Sequence, residues 1–443
     1  MMVRLFGFLW LFGSVACVVG QEASIVERVP TDEGQGTARD QPADDYELMR
    51  LFVDAIDEVE RNYVAPITRR ELMEAAIEGV LSKLDNYSNY IAPEEMFEFQ
   101  RDVEQEFGGI GIQINEAASG NIRIVSPLAG TPASRAGLQA GDEITHIEGK
   151  PTAQIGVEGA VTRMKGPVGS QVRLTIDRAG KSFDVVLNRE TVQLETVIGV
   201  RRRANSEWDF FIDPQEKIGY VRIASFGAHT TDDLKEAVRG LHEQQVRGLV
   251  LDLRNNPGGL LTAAIEVCDL FLTEGDIVSA QGRNVPVKKW EALPGGSYTE
   301  FPMAVLVNSF SASGSEIVAA CLQDNRRAVV IGERTWGKGS VQRLVMLQDG
   351  KSALKLTTST YLRPNGKNIH RTSELTDSDD WGVRPDEGYE VKLSRSEQRA
   401  MLIYQRDAFL IRGNDDTKKA LPFYVDAQVK KAFEYLRVKS SRP

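Results

Sequence analysis

Between Ile218 and Glu333, four apolar runs rich in β-branched residues, "IGYVRIASF", "GLVLDLRNN", "MAVLVNS" and "AVVIGE", are separated by stretches with helical spacing. Those stretches are "TTDDLKEAVRGLHEQQ", "LLTAAIEVCDLFL" and "SEIVAACLQDN". Few folds accept this alternation. A buried sheet must hide its apolar face under the helix that follows each strand, which implies a layered α/β domain. "SVQRLVMLQDGKSALKLTTSTYLRP" adds a pair of strands predicted to turn at Asp349–Gly350.

Elsewhere the period differs. "DDYELMRLFVDAIDEVERNYV" spaces Leu48, Leu51, Phe52, Ala55, Ile56, Val59 and Tyr63 as one helical face, expected to be buried. "TRRELMEAAIEGVLSKL" reads as a second helix capped by Thr68, with Leu72, Ala76 and Val80 on one side. From Phe107 onward "GGIGIQI", "NIRIVSP", "DEITHIEGK" and "GSQVRLTIDRAGKSFDVVLN" are short strands with Gly and Pro turns, and "TPASRAGL" is a short helix among them. "LSRSEQRAMLIYQRDAFL" and "YVDAQVKKAFEYLRV" close the chain as helices that dock on the core or on a second subunit.

The N-terminal "LFGFLWLFGSVAC", preceded by Arg4, is too short for a membrane span and reads as a signal peptide, with a retained anchor as the alternative. "SVAC" also resembles a lipoprotein box ending at Cys17, although Ser14 stands where Leu is usual. The expected organisation is therefore a signal peptide at 1–20, a flexible linker at 21–44, a helical region at 45–96, a mostly-β module at 97–191, the α/β core at 192–390 and a helical extension at 391–443. A net charge of −10 argues against an extended nucleic-acid footprint. Cys268 and Cys321 sit in apolar helical runs and are expected to be buried thiols. His146, His229, His242 and His370 show no ligand spacing, so no structural metal is expected.

Three short stretches carry chemistry. "GERTWGKGS" looks like a phosphate-binding loop, but Gly339 follows Lys338 where Ser or Thr belongs, and a strand follows where a helix should open. "VNSFSASGSEIVAAC" puts Ser313 at a strand-to-helix junction. Taken alone, Ser311, Ser313 and Ser315 read as helix caps rather than as a catalytic feature. "VLDLRNNPGGLLTAA" is a second such junction, readable either as a plain turn or as a set of outward-pointing N–H groups. Together they supply an acyl-transfer site: Ser313 as nucleophile, the Gly259 and Gly314 N–H groups for an oxyanion, and Lys338 as base. Lysine has an ordinary pKa of about 10.4, so that role requires burial in an apolar niche. Gln342, four residues along the strand, is placed to orient the amine.

These stretches resemble the carboxy-terminal processing, or tail-specific, serine peptidases with a Ser–Lys dyad. The resemblance runs from about Asp45 to Asp386 and includes "LDNYSNYIAPEEMFEF", "FGGIGIQI", "PASRAGLQAGDEITHIEGKPT", "LDLRNNPGG", "NSFSASGSEI", "GERTWGKGSVQ" and "GVRPD". Asn86 replaces a usual Pro. The resemblance implies a multidomain α+β protein: an α/β crotonase-like peptidase core, an inserted mostly-β PDZ domain, and helical N- and C-terminal segments. It implies the same roles for Ser313, Lys338, Gln342, Gly259 and Gly314. It further implies that Gly109, Ile110 and Gly111 offer N–H groups to a substrate's terminal carboxylate, and that Arg163 couples the bound tail to the active site, with a plain surface Arg as the alternative.

The expected activity is endoproteolysis of unfolded or precursor proteins with free C-termini, through an acyl-enzyme and without metal, nucleotide or organic cofactor. The expected setting is the bacterial periplasm or envelope, with membrane association through the N-terminus, an adaptor protein, and homo-oligomer contacts through the helical termini. Two alternatives remain at this stage. One is an inactive PDZ-bearing scaffold on the same fold; the other is a coenzyme A thioester enzyme, which an exported N-terminus disfavours.

Overall fold

A computed structural model of the protein describes residues 42–96, 99, 106–128, 130–203, 207–408 and 424–440. The expected signal peptide, Cys17 and nearly all of the linker lie outside the described residues. The described residues form two compact units, one from those within 106–341 and 359–440, the other from those within 42–99 and 342–358.

In the first unit the α/β alternation produces the expected sheet. Strands Ile218–Ile223, Gly248–Asp252, Met303–Val307 and Ala328–Gly332 lie side by side in that order, all parallel. Their side chains divide with a period of two. Val221, Ile223, Leu249, Leu251, Val305 and Val330 face one core, with residues of helices Thr230–Glu243, Leu261–Asp269 and Gly314–Asp324. Tyr220, Val250, Ala304, Leu306 and Ile331 face the other, beneath Val429, Ala432 and Leu436 of helix Ala427–Ser440. The C-terminal helix is thus docked on the sheet of its own chain. Cys268 and Cys321 are buried free thiols in the first of these cores.

The same unit contains the mostly-β module. Its sheet runs Ile112–Glu116, Ile122–Pro127, Glu143–Ile147, Gln171–Arg178, Lys181–Asn188, and strand Ile112–Glu116 forms one edge. Glu106–Gly109 pairs separately with Glu190–Gln193, so the module closes on itself just past the expected limit of 191. The expected short helix is present at Pro132–Arg135. A second helix, Thr152–Met164, is a correction to the sequence reading. Its apolar period is interrupted at Gly156, which adopts φ 64° and kinks the segment. Ala160 and Met164 still reach the module's core of Ile122, Ile124, Ile144, Val172, Leu174 and Ile176.

In the second unit, helix Pro42–Asn62 starts three residues inside the expected linker. Helix Arg69–Leu81 starts where Thr68 was expected to cap it, and Glu71 completes the capping box by accepting the Thr68 N–H at 2.8 Å. Arg69 ties the two helices by hydrogen bonds to Asp57 and Glu60. The apolar face of the first helix is not buried: Leu48, Leu51 and Tyr63 are 62%, 66% and 59% exposed. Val80 of the second helix, expected on its packed side, is exposed too. Amphipathic spacing correctly marked a helix but could not supply a partner for its face. Strand Asn89–Ile91 pairs with Lys355–Ala353 of the expected hairpin, which turns at Gln348–Gly350.

Leu436 is fully buried against the sheet. Leu436→Ala is expected to cost about 2–5 kcal/mol of stability; urea unfolding of the purified variant checks this.

Candidate active site

Three loops leave the carboxyl ends of three adjacent parallel strands, Gly248–Asp252, Met303–Val307 and Ala328–Gly332. In open α/β sheets this is where ligands bind, because the loops converge there while the helices occupy the faces. "NNPGG", "NSFSAS" and "ERTWGKG" are those loops.

Ser313 is 2% exposed and caps helix Gly314–Asp324 with φ 53° and ψ −113°, a conformation that side-chain-bearing residues rarely adopt. Ser313 and Glu316 form a capping box, so the cap named as the alternative is present in the structure. The Glu316 and Ile317 N–H groups donate to the Ser313 carbonyl oxygen at 2.8 and 3.0 Å. The Ser311 and Ser315 hydroxyls donate to the carbonyl oxygens of Leu253 and Asn256, at 2.8 and 2.9 Å. Those two serines stitch the second loop to the first.

The glycine turn sits directly against Ser313. A Cβ on Gly258 would lie 2.7 Å from the Ser313 Cβ and 2.9 Å from the Gly314 nitrogen. Gly258 and Gly259 have φ 101° and 148°, and a Cβ on Gly259 would meet the Phe226 carbonyl oxygen at 2.0 Å. Only glycine fits at either position. The bridge between Phe226 and Gly259 uses the N–H groups of Phe226 and Leu260. Among the described hydrogen bonds, the N–H groups of Gly259 and Gly314 are not spent.

Lys338 is 6% exposed, as the sequence reading required, and the glycines around it explain how. A Cβ on Gly339 would lie 2.5 Å from the His370 nitrogen, and one on Gly337 2.7 Å from the Arg371 Cβ. Bare backbone lets the segment around His370 and Arg371 close over the loop. Strand Ser340–Leu347, not a helix, follows Lys338. Gln342 is 1% exposed in that strand; it belongs to the second unit, where its Nε2 donates to Thr357 Oγ1 at 3.3 Å and the Thr357 N–H donates to Ser88 Oγ.

Glu316 stands in the first turn of helix Gly314–Asp324. It is fully buried. Its Oε2 accepts the N–H groups of Ser313 and Lys338, at 2.9 and 2.8 Å. Its Oε1 accepts the Thr335 hydroxyl at 2.5 Å and the Gly337 N–H at 2.7 Å. One carboxylate therefore joins the backbone of Ser313 to the backbone of Lys338. Burial pushes its pKa above the ordinary carboxylate value, and the four hydrogen bonds pull against that shift. The Thr335 hydroxyl also accepts the Val383 N–H at 2.7 Å, which attaches "GVRPD" to the same point. The signal was present as Ser-x-x-Glu at a helix start, but it points only to a cap. Outside this buried set, Phe310 and Trp336 are 61% and 51% exposed, and the Trp336 N–H donates to the Ser311 carbonyl oxygen.

In the mostly-β module, Gly109 ends a strand, Ile110 is buried and Gly111 turns with φ 73°. The Ile110 carbonyl oxygen accepts the Ala133 N–H, and that of Gly111 the Leu128 N–H, so the loop is pinned by its carbonyls. Arg163 lies in the last turn of helix Thr152–Met164; its carbonyl oxygen accepts from Arg189 at 2.7 Å, and its Nε is buried without a partner among the described residues.

Fold and site together define a class, a serine-type peptidase that carries a PDZ domain. The models of the PDZ domain and of peptidase family S41 match residues 97–177 and 217–388. A carboxy-terminal-processing protease of Bartonella bacilliformis is 35% identical over 88% of this chain and 89% of its own. A carboxyl-terminal-processing protease of Synechocystis sp. is 36% identical over 74% of this chain and 73% of its own. The crystal structure of a protein assigned as an S41 protease in Bacteroides fragilis shares the fold, with a TM-score of 0.50 over 87% of this chain and 97% of that one at 18% identity. The chain belongs to the carboxy-terminal processing proteases of peptidase family S41.

Glu316→Gln turns one oxygen into an NH2 group that faces two donors. It is expected to cost roughly 2–6 kcal/mol, from two unsatisfied groups, and to lower peptide cleavage at least about 100-fold. Urea unfolding and cleavage rates of the purified variant check both effects.

Proposed function

We propose that this protease shortens unfolded or precursor proteins from their C-terminal tails by a Ser–Lys acyl-enzyme mechanism. The observation that carries the reading is the contact of two strand-end loops. The Gly258–Gly259 turn abuts Ser313, while Glu316 fastens the Lys338 loop to the same residue.

Ser313 Oγ attacks the scissile carbonyl carbon as its proton passes to Lys338 Nζ. The carbonyl oxygen becomes an oxyanion held by the N–H groups of Gly259 and Gly314. The C–N bond then breaks, and the Lys338 ammonium returns its proton to the departing amine. Water attacks the Ser313 ester as its proton passes to Lys338; the C–Oγ bond breaks, Lys338 returns that proton to Ser313 Oγ, and the shortened protein is freed. Gln342 orients the lysine. No step calls for metal, nucleotide or organic cofactor.

Substrate capture is assigned to the PDZ domain. A tail adds to the edge strand Ile112–Glu116, its carboxylate meets the N–H groups of Gly109, Ile110 and Gly111, and Arg163 couples the occupied groove to the core. The exposed Phe310 and Trp336 offer apolar contact to a chain entering the site. The N-terminal segment exports the protein to the periplasm or envelope and associates it with the membrane. Uncovered Leu48, Leu51 and Tyr63 support a homo-oligomer contact through the N-terminal helices. An adaptor that presents substrates completes the reading.

The test is incubation with an unstructured protein bearing an apolar tail, read by mass spectrometry. Wild type is expected to shorten it, and Ser313→Ala and Lys338→Ala are each expected to leave it intact. If wild type matches Ser313→Ala, the chain is an inactive PDZ-bearing scaffold instead. A protonated ammonium cannot accept the serine proton, so the rate is expected to fall on acidification from about pH 8 to about pH 5. A flat profile in a protein still folded by circular dichroism removes Lys338 from the role of base.

A further inference from the structure

The segment after the core reaches into the loop that precedes the glycine turn. Arg254, five residues before Gly259, is the largest fully buried side chain among the described residues. Its Nε and Nη2 donate to Asp252 at 2.9 and 2.6 Å. Its Nη1 donates to Asp426 Oδ2 at 2.7 Å and Gln428 Oε1 at 3.0 Å. Asp426 Oδ1 meanwhile caps helix Ala427–Ser440 by accepting the N–H groups of Gln428 and Val429. Burial opposes the guanidinium charge, but Asp252 and Asp426 outweigh it and hold its pKa above the ordinary value.

The next residue is held from the same segment. Asn255 takes φ 59° and exchanges hydrogen bonds with Asn308, at 3.0 and 2.8 Å. Its Nδ2 donates to Gln405 Oε1 of helix Arg395–Ala408 at 3.3 Å. Asn256 then accepts the Ala312 N–H and the Ser315 hydroxyl on its carbonyl oxygen, and its Oδ1 accepts the Gly258 N–H at 2.8 Å. Asp426 thus holds Arg254 and Asn256 holds the glycine turn, with the backbone of half-buried Asn255 joining the two.

The charges explain the dependence. Asp252 and Arg254 form a pair, and Arg222 is a second guanidinium buried beside them. Asp426 supplies the second negative charge. Without it the buried cluster carries a net positive charge, and relief requires Arg254 to move. Movement of Arg254 shifts Asn255 and Asn256, and with them Gly258 and Gly259.

We propose that Asp426, supported by Gln428 and Gln405, is a positioning residue for the oxyanion turn, so that the C-terminal segment completes the active site as well as covering the sheet. The inference rests on the role assigned above to Gly259 and Gly314.

The test uses Asp426→Asn, which removes the charge and keeps an acceptor, with Gln428→Ala and Gln405→Ala as milder companions. All are measured in the full chain at a temperature well below each variant's Tm. For Asp426→Asn, kcat on the unstructured substrate is expected to fall about tenfold or more with KM within about twofold. The affinity for a peptide aldehyde, whose adduct with the serine needs the oxyanion donors, is expected to fall by a similar factor. Affinity for the matching peptide without the aldehyde is expected to hold. A lowered Tm with unchanged kcat and aldehyde affinity overturns the proposal, because the segment then only stabilises the fold. Failure of all three variants to fold overturns it for the same reason. If Ser313→Ala cleaves like wild type, the acyl-enzyme reading itself is at fault. If Ser313→Ala is inactive while Asp426→Asn keeps its kcat, only this inference falls.

Discussion

The Glu316 carboxylate is the contact on which the site's geometry depends. It lies in the core, where an isolated carboxylate is costly, and four donors compensate it. Two of those donors are the backbone N–H groups of Ser313 and Lys338, residues separated in sequence by helix Gly314–Asp324 and strand Ala328–Gly332. Both of these are bonds from backbone to carboxylate. They fix the loops at a point where each bond is electrostatically strong and any loss is expensive.

The sheet makes this economical. Parallel strands with crossover helices put all their carboxyl ends on one edge, so the loops after Asp252, Val307 and Gly332 become neighbours without any long excursion. Contact closer than side chains allow is then reached by glycine. Gly258 admits Ser313, and Gly339 admits the backbone of His370. The strained backbone of Ser313 persists because its N–H, its carbonyl oxygen and the helix behind it are all engaged.

Charge is handled in the same way at the other end of the glycine loop. Asp252, Arg254 and Asp426 are almost fully buried and mutually paired, and the Tyr220 hydroxyl donates to Asp252 at 2.7 Å. Burial alone would raise the Asp252 pKa, but Arg254 outweighs it and holds it below the ordinary carboxylate value. Such a cluster is poor value as stabilisation compared with an apolar core, yet it is highly specific in geometry. Here it joins a helix that covers the sheet to the loop that opens toward the site.

Local chemistry was legible in the sequence wherever the determining residues are near neighbours. The Thr68 cap with Glu71, the four core strands, the turn after Leu347 and the interruption of the phosphate-loop pattern at Gly339 each rest on contacts within a few residues. The helix Thr152–Met164 escaped because Gly156 breaks the period on which the reading depends. Burial of the first helix's apolar face was misjudged because spacing reports a face and not its occupant. Residue types and order alone determined the alternating core, the candidate nucleophile, base and glycine donors, and the thiols' concealment. Only the tertiary structure decided that Glu316 fastens two loops and that Asp426 reaches Arg254, since hydrogen bonds between residues far apart in the chain depend on how the sheet and its helices bring their ends together.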